Sequence, residues 1–180
     1  MKRASKREPL GEAALFEYAV RALAAKMRTE RELRRLMKTR AAEGPDGERA
    51  MDAVVARLKA LNYLSDTRFA ADYTRLRKEN QKLGRRRVQQ DLAAKGIAPA
   101  TAATALTSAY EGVDEVALAR QYIERKRMKQ PGGAGVPREV REKETARIMG
   151  RLLRAGFSSA TIFKVLRTWG VEVEEFEVEE

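Results

Sequence analysis

Apolar residues recur at helical spacing along most of the chain, and this periodicity constrains its fold more than any other feature of the sequence. The periodic stretch runs from Leu15 to Leu166, and no four-residue β-branched alternation typical of a strand appears before the last ten residues. The pattern predicts nine helices in three sets of three. Because a set of about fifty residues buries little surface alone, neighbouring sets are expected to stack. The sequence therefore predicts an all-α fold of three tandem three-helix modules in an elongated, curved molecule.

An internal repeat relates the second and third sets. Two leucines, a glycine and an apolar residue recur at identical spacing, as Leu92, Gly96, Ile97 and Leu106 and again as Leu152, Gly156, Phe157 and Leu166. In the first set, Arg40 stands where glycine is expected. We predict modules over residues 13–63, 64–111 and 112–170, between a basic N-terminal tail (1–12) and an acidic C-terminal tail (171–180).

Local signals mark the ends of individual helices. Thr29 and Glu32 spell a capping box, and the segment 44–47, Gly-Pro-Asp-Gly, predicts a turn. Ser158 is expected to cap a last helix that runs through Trp169. Leu61, Leu76 and Leu153 fall on the apolar stripes of the predicted helices, so we expect their side chains to be buried.

The chain contains no cysteine and no histidine. The absence of cysteine excludes disulfides, thiolate nucleophiles and cysteine-ligated metals. The absence of histidine removes the usual general base and the commonest metal ligand. No carboxylate pair stands in a setting that would raise a pKa, so we expect a binding protein rather than an enzyme, with no cofactor and no metal.

Basic residues exceed acidic ones by 37 to 26, which gives a net charge of +11. Such a charge favours encounters with polyanions and leaves nucleic acid, acidic protein surfaces and anionic membranes open. Basic residues near the N-terminus resemble the start of a signal peptide, but Glu12, Glu17 and Arg21 interrupt the apolar core that export requires. No segment approaches the length of a membrane span, and we expect a cytoplasmic monomer.

The densest basic run lies between residues 75 and 95, and it supplies most of the residues that we predict to bind a partner or DNA: Arg75, Arg77, Lys78, Lys82, Arg85, Arg86, Arg87 and Lys95. Three of these arginines are consecutive in the first turn of a predicted helix, where each costs about 0.3–1 kcal/mol against the helix dipole. A bound anion would offset that cost. An equally good interpretation is that the three arginines lie on the protein surface and that their aliphatic stems cover apolar area.

A second basic stripe comprises Arg147, Arg151 and Arg154 on one helical face. An ordinary solvated face is favoured here, because Glu144 lies one turn away and is expected to pair with Arg147 or Arg151. Arg125, Arg127, Arg147 and Arg151 complete the predicted binding residues. The aromatic residues give no platform for stacking bases, since Phe69, Tyr73, Tyr122 and Phe157 are all expected in the core.

The segment Leu61–Ala70, LNYLSDTRFA, followed by Tyr73, Arg77 and Gly84, resembles the signature of the RecX family of regulatory proteins. Residues 29–33 and 153–157 are similar to the flanking modules of that family, and the likeness spans residues 14–170. The chain departs from the family pattern at Arg40, at the 44–47 insertion, in the glycine-rich loop near residue 133 and in the acidic tail.

The resemblance implies three tandem three-helix modules that bind a RecA-type recombinase filament in its groove. It further implies that the protein limits filament growth, ATPase, strand exchange and coprotease activities, and so modulates homologous recombination, DNA repair and the SOS response. DNA is then a weak partner or one met within the filament. The rival hypothesis is a direct nucleic-acid-binding protein, such as a helix-turn-helix regulator, because three-helix units with a basic helix are common there.

Overall fold

A computed structural model describes residues 8–132 and 135–171 of the chain. Those residues form nine α-helices and no strand, so the prediction of an all-α fold is confirmed. The helices are α1 (Glu12–Ala25), α2 (Glu30–Lys38), α3 (Pro45–Ala60), α4 (Asp66–Gln81), α5 (Arg85–Ala94), α6 (Pro99–Tyr110), α7 (Glu115–Arg125), α8 (Arg138–Arg154) and α9 (Ser159–Arg167). Residues 1–7 of the basic tail, residues 133–134 of the glycine-rich loop and residues 172–180 of the acidic tail lie outside the described ranges.

Several helix ends follow from the local sequence. Thr29 accepts a hydrogen bond from the N–H of Glu32 while the Glu32 carboxylate accepts one from the N–H of Thr29, so the predicted capping box is present. Gly96 and Gly156 adopt φ values of +83° and +92° after α5 and α8, as expected of glycines that end helices. Arg40, at the matching place after α2, is absent from the positive-φ positions of the described residues. Glycine is therefore not needed there.

The predicted turn over residues 44–47 is wrong, because α3 begins within it. Gly44, at φ +82°, precedes the helix, and Pro45 is its first residue, a position where proline's missing N–H costs nothing. Gly47 is buried inside the first turn, and a β-carbon there would lie 1.8 Å from the carbonyl oxygen of Ala42. Only glycine fits here, because the backbone at Ala42 lies too close to leave room for a side chain.

Other helical expectations also need correction. The last helix ends at Arg167 rather than at Trp169, because the N–H of Thr168 turns back to the carbonyl oxygens of Val165 and Leu166. Three leucines assigned to apolar stripes are exposed, with 47%, 39% and 48% of their surface accessible: Leu61, Leu76 and Leu153. The prediction for Leu61 is wrong because this residue follows the last residue of α3, where the helical periodicity no longer applies.

The chain divides into two compact units. The first contains the described part of residues 1–70 together with residues 92–102. Helices α1, α2 and α3 pack against one another around a core of nine buried residues: Leu15, Ala19, Leu33, Met37, Met51, Val54, Val55, Leu58 and Leu64. At the start of α2, the Thr29 hydroxyl donates to the carbonyl oxygen of Lys95 at 2.9 Å, and the Lys95 ammonium pairs with Glu32 at 2.7 Å. These contacts join α2 to the end of α5.

The second unit contains residues 71–91 together with the described part of residues 103–180. Here α9 packs against α7 and α8, and it buries Ile162, Val165 and Leu166. The rings of Tyr122 and Phe157 meet edge to face at 5.9 Å, a favoured aromatic geometry. This unit carries most of the predicted binding residues.

Candidate functional site

A cavity of about 460 Å³ in the second unit gathers four arginines from three helices. Arg77 comes from α4, Arg87 from α5, and Arg151 and Arg154 from α8. The remaining lining residues are Tyr73, Gln81, Leu83, Asp91, Tyr122 and Ala155. We call this cavity the arginine cleft. Four cations against the single carboxylate of Asp91 give its lining a charge of 4 − 1 = +3.

A close contact between two backbone segments places the arginines together. The N–H of Gly84, just before α5, donates to the carbonyl oxygen of Ala155, just after α8, at 2.8 Å. A β-carbon on Gly84 would lie 2.3 Å from the carbonyl oxygen of Gly156, and one on Gly156 would lie 2.3 Å from the backbone nitrogen of Arg87. Two glycines thus allow the end of α8 to reach the start of α5, which puts Arg87 beside the α8 arginines.

The same contact bears on the three arginines at the start of α5. The carbonyl groups at a helix end carry partial negative charge, and the Ala155 carbonyl lies against the residue that precedes Arg85. This arrangement offsets part of the unfavourable charge at the α5 N-terminus. This contact is a third explanation for the three arginines, beside the bound anion and the covering of apolar surface that the sequence suggests.

One wall of the cleft is a small network built on side chains four residues apart. Arg87 Nε pairs with Asp91 at 3.0 Å, and the guanidinium of Arg77 lies 4.6 Å from the centre of the Tyr73 ring. The Tyr73 hydroxyl donates to Asp91 at 3.2 Å. Partial burial, reinforced by the negative charge of Asp91, raises the pKa of Tyr73. Tyr73 therefore remains a neutral hydrogen-bond donor, and Asp91 is already engaged.

Arg151 and Arg154, unlike Arg77 and Arg87, are not part of this network. Both are exposed, and neither forms an ion pair within the described part of the chain. The expected pairing of Glu144 with Arg147 or Arg151 is wrong, because no ion pair joins these side chains in the described part of the chain. The Glu144 carboxylate instead accepts a hydrogen bond from the N–H of Gly132 at 2.9 Å. The missing β-carbon of Gly150 leaves room for Arg154, whose Nη1 would lie only 3.3 Å from that atom.

Three other predicted binding residues in this unit have partners of their own. Arg75 pairs with Asp72 and Glu79 on the same helix at 3.3 and 3.4 Å. The Lys78 ammonium donates to the carbonyl oxygen of Ala109 at 2.7 Å, and Arg85 donates to the hydroxyl of Thr107 at 3.3 Å. These contacts tie α4 and α5 to α6.

The remaining predicted residues lie outside the cleft. Arg86 is exposed in the first turn of α5, Arg147 is exposed on α8, and Arg125 and Arg127 are exposed at and after the end of α7. Lys82, at φ +56°, lies in the turn after α4. Lys95 belongs to the first unit, where it pairs with Glu32. Of the twelve predicted residues, the structure thus brings three into the cleft, Arg77, Arg87 and Arg151.

Sequence reasoning missed two members of the network on one wall of the cleft, Tyr73 and Asp91. Tyr73 was assigned to the core, but it is only half-buried and lines the cleft; Phe69, Tyr122 and Phe157 are buried as expected. Asp91 was counted only as a charge. The spacing of four residues in Tyr73–Arg77 and in Arg87–Asp91 was the available signal, because such residues are neighbours on a helix face.

The described residues contain no group of histidine, cysteine, aspartate or glutamate side chains that would hold a metal ion. Within residues 8–132 and 135–171, no helix has the length and apolar character needed to span a membrane. The cleft is lined by four arginines, two tyrosines and Gln81, whose side chains carry hydrogen-bond donors. A concave lining with a net positive charge is suited to binding an anion.

Comparison with known proteins places the chain in a family. Residues 65–106, which contain α4, α5 and most of α6, match a family described as "RecX, second three-helix domain". The chain is 32% identical over 151 residues to a regulatory protein RecX of Mycobacterium leprae (strain Br4923), covering 82% of this chain and 80% of the relative. It is 28% identical over 169 residues to a regulatory protein RecX of Geobacillus thermodenitrificans (strain NG80-2), covering 91% of this chain and 57% of that protein.

Solved structures show the same fold. The crystal structure of RecX from Lactobacillus salivarius matches with a TM-score of 0.64 at 19% identity, over 88% of this chain and 96% of that chain. Another, described as the crystal structure of regulatory protein RecX, matches with a TM-score of 0.67 at 21% identity, over 87% of this chain and 73% of that chain. The sequence identity to the mycobacterial relative and the shared fold lead to one conclusion: the chain belongs to the RecX family of regulatory proteins.

Proposed function

We propose that this chain regulates a RecA-type recombinase by binding in the groove of the filament that the recombinase forms on DNA. Binding there limits filament growth and lowers the ATPase, strand-exchange and coprotease activities, and so modulates homologous recombination, DNA repair and the SOS response. The protein acts as a monomer in the cytoplasm, through three tandem modules over residues 13–63, 64–111 and 112–170. It works by binding and catalyses no reaction of its own.

The arginine cleft is the observation that carries this proposal. It is concave, its lining has a charge of 4 − 1 = +3, and three of its arginines, Arg77, Arg151 and Arg154, form no ion pair among the described residues. A nucleoprotein filament presents phosphates and acidic side chains, and guanidinium groups bind both in bidentate geometry. The net charge of +11 adds a long-range attraction that accelerates encounters with such a partner.

The experiment is the DNA-dependent hydrolysis of ATP by the recombinase, measured while this chain is added in increasing amounts. We expect inhibition at substoichiometric amounts, because a protein that stops filament growth affects many recombinase subunits at once. Hydrolysis that continues undiminished at equimolar protein would contradict the proposal. The chain mixed with ATP and DNA alone is the control, and it should hydrolyse nothing.

The second candidate function is that of a regulator that binds nucleic acid directly, without a recombinase. The observation that favours it is Arg86, which is exposed at the start of α5 with no ion pair in the described structure. A direct regulator binds bare duplex tightly, with an affinity that falls steeply as salt rises. A filament regulator binds bare duplex weakly, so duplex affinity at physiological salt, compared with the ATPase result, separates the two candidates.

A further inference from the structure

We infer that the arginine cleft is a phosphate-binding site that takes one backbone phosphate of a nucleic-acid strand and does not read its bases. The inference deepens the proposed function and rests on the same cleft, because it names the phosphodiester backbone as the ligand of particular residues and expects a contact with nucleic acid that requires no recombinase. The residues that carry it are Arg77, Arg87, Arg151 and Arg154.

The charge of the cleft favours an anion. The four guanidinium groups repel one another, and the single carboxylate of the lining, Asp91, already accepts hydrogen bonds from Arg87 and Tyr73. Arg151 and Arg154 have no ion-pair partner in the described part of the chain, so their donors remain available. An incoming anion therefore meets donors that need not first break a protein contact.

The origin of the donors favours phosphate over carboxylate. A carboxylate has two oxygens in one plane, and a single guanidinium in a bidentate pair satisfies both. The cleft is instead lined by arginines from α4, α5 and α8 around a cavity of about 460 Å³. A tetrahedral phosphate presents its oxygens in several directions, so arginines from different helices can each reach one. Arginine is the side chain best suited to this recognition.

The aromatic residues of the cleft argue against recognition of a base. The face of Tyr73 is covered by the guanidinium of Arg77, at 4.6 Å. Tyr122 is only 8% exposed, and its ring packs edge to face against Phe157. Stacking of a base requires an open ring face, and neither tyrosine of the lining provides one. The ligand is therefore the phosphodiester backbone, bound independently of sequence.

The test is the binding of a fluorescein-labelled oligothymidylate to the full chain, followed by anisotropy over a series of salt concentrations without recombinase. The cleft variant is Arg151→Gln with Arg154→Gln. The matched control is Arg120→Gln with Arg141→Gln, which removes the same charge from two exposed positions outside the cleft on α7 and α8. Circular dichroism checks that both variants keep their helices, which the exposure of all four side chains predicts.

We expect the wild-type affinity to fall as salt rises. Loss of one phosphate contact makes the slope of log K against log salt shallower by about 0.7 for a single strand, and the cleft variant should show that change. The control variant should keep a slope close to the wild type, because long-range charge alone contributes little at a distance beyond the screening length. Replacing thymine by another base should leave both results unchanged.

Two outcomes would overturn the inference. Equal losses in the cleft and control variants would show that only overall charge matters. A labelled polyglutamate that binds in a cleft-dependent way, while the oligothymidylate does not, would assign the cleft to an acidic protein segment. Because no recombinase is present, either failure leaves the ATPase result standing, and a failure of ATPase inhibition leaves the phosphate site standing.

Discussion

The N–H of Gly84 donates a hydrogen bond of 2.8 Å to the carbonyl oxygen of Ala155, and so joins the residue before α5 to the residue after α8. The backbones touch here because neither Gly84 nor Gly156 has a side chain. One consequence is electrostatic, since a helix C-terminal carbonyl faces the arginine-rich start of α5. The other is geometric, since the contact assembles the arginine cleft from segments that are distant in sequence.

We expect Gly84→Ala to destabilise the second unit by about 1–3 kcal/mol, the usual cost of forcing extra atoms into a packed site. The new β-carbon would lie 2.3 Å from the carbonyl oxygen of Gly156, and backbone cannot move aside as a flexible side chain does. The measurement is the free energy of unfolding in urea. Gly150→Ala on α8 is the contrast, because its β-carbon meets only the flexible end of Arg154 and alanine favours a helix; equal losses in the two variants would refute the explanation.

Thr74→Val should raise the free energy of unfolding by about 1 kcal/mol, because a buried polar group without a partner costs about 1–3 kcal/mol. The side chain of Thr74 is fully buried, and its hydroxyl oxygen has no hydrogen-bond partner among residues 8–132 and 135–171. Thermal and urea denaturation measure the change. The matched control is Thr161→Val, which should lower stability, since the Thr161 hydroxyl donates to Glu115 at 2.8 Å. A loss of stability in Thr74→Val would show that its hydroxyl has a favourable interaction.

The first unit should lose stability in acid, and Glu32→Gln should reduce that loss. Partial burial opposes the charged form of Glu32, but hydrogen bonds from Lys95 and from the N–H of Thr29 outweigh it and hold its pKa below the ordinary value of 4.5. A lowered pKa in the folded state contributes stability above the unfolded-state pKa, and this contribution disappears as the pH falls through the folded-state pKa.

We therefore expect the wild-type free energy of unfolding to decrease as the pH falls below about 4.5, and to decrease less steeply in Glu32→Gln. Urea unfolding at a series of pH values measures both slopes. Glu17→Gln is the control, because Glu17 is exposed on α1 and forms no ion pair in the described structure. Identical slopes for all three proteins would exclude Glu32 as a source of the acid sensitivity.

Replacing Arg85, Arg86 and Arg87 together by glutamine should weaken inhibition of recombinase ATPase while the helices persist. Single variants separate the effect of charge at the helix N-terminus from the effect of the cleft. Arg86→Gln should leave stability unchanged or raise it by about 0.3–1 kcal/mol, because a cation at a helix N-terminus is unfavourable. Arg87→Gln removes the ion pair with Asp91 as well as a wall of the cleft. Lost helicity, with inhibition per folded molecule preserved, would contradict a binding role.

Deletion of residues 171–180 should tighten binding to DNA and steepen its dependence on salt. The deleted segment contains six glutamates and no basic residue, so the net charge rises from +11 to 11 + 6 = +17. If the acidic tail competes with the DNA for the basic residues of the chain, its deletion removes that competition. Anisotropy titrations of the full chain and the truncated chain provide the comparison, and unchanged affinity together with an unchanged salt slope would remove any competitive role of the tail.

The sequence was most informative where the interactions are local. The capping box of Thr29 and Glu32 lies within four residues, and the glycines at 96 and 156 end their helices through their own backbone geometry. Helices depend on contacts three and four residues apart, so periodicity identified all of those that the structure describes. Exposure depends on what packs against a helix, and for that reason Leu76 was wrongly placed on a core-facing stripe.

The basic residues of the arginine cleft were all visible in the sequence, but their grouping was not. Arg77 and Arg151 are 151 − 77 = 74 residues apart, and no local pattern relates them. Gly156 was recognised as the end of a helix, yet its contact with the backbone at Gly84 arises only when α8 packs beside α5. The sequence by itself therefore determined the helices, the charge and the absence of histidine and cysteine chemistry. Only the tertiary structure decided which arginines share a cavity, because their grouping depends on the contact between the backbone at Gly84 and the backbone at Gly156.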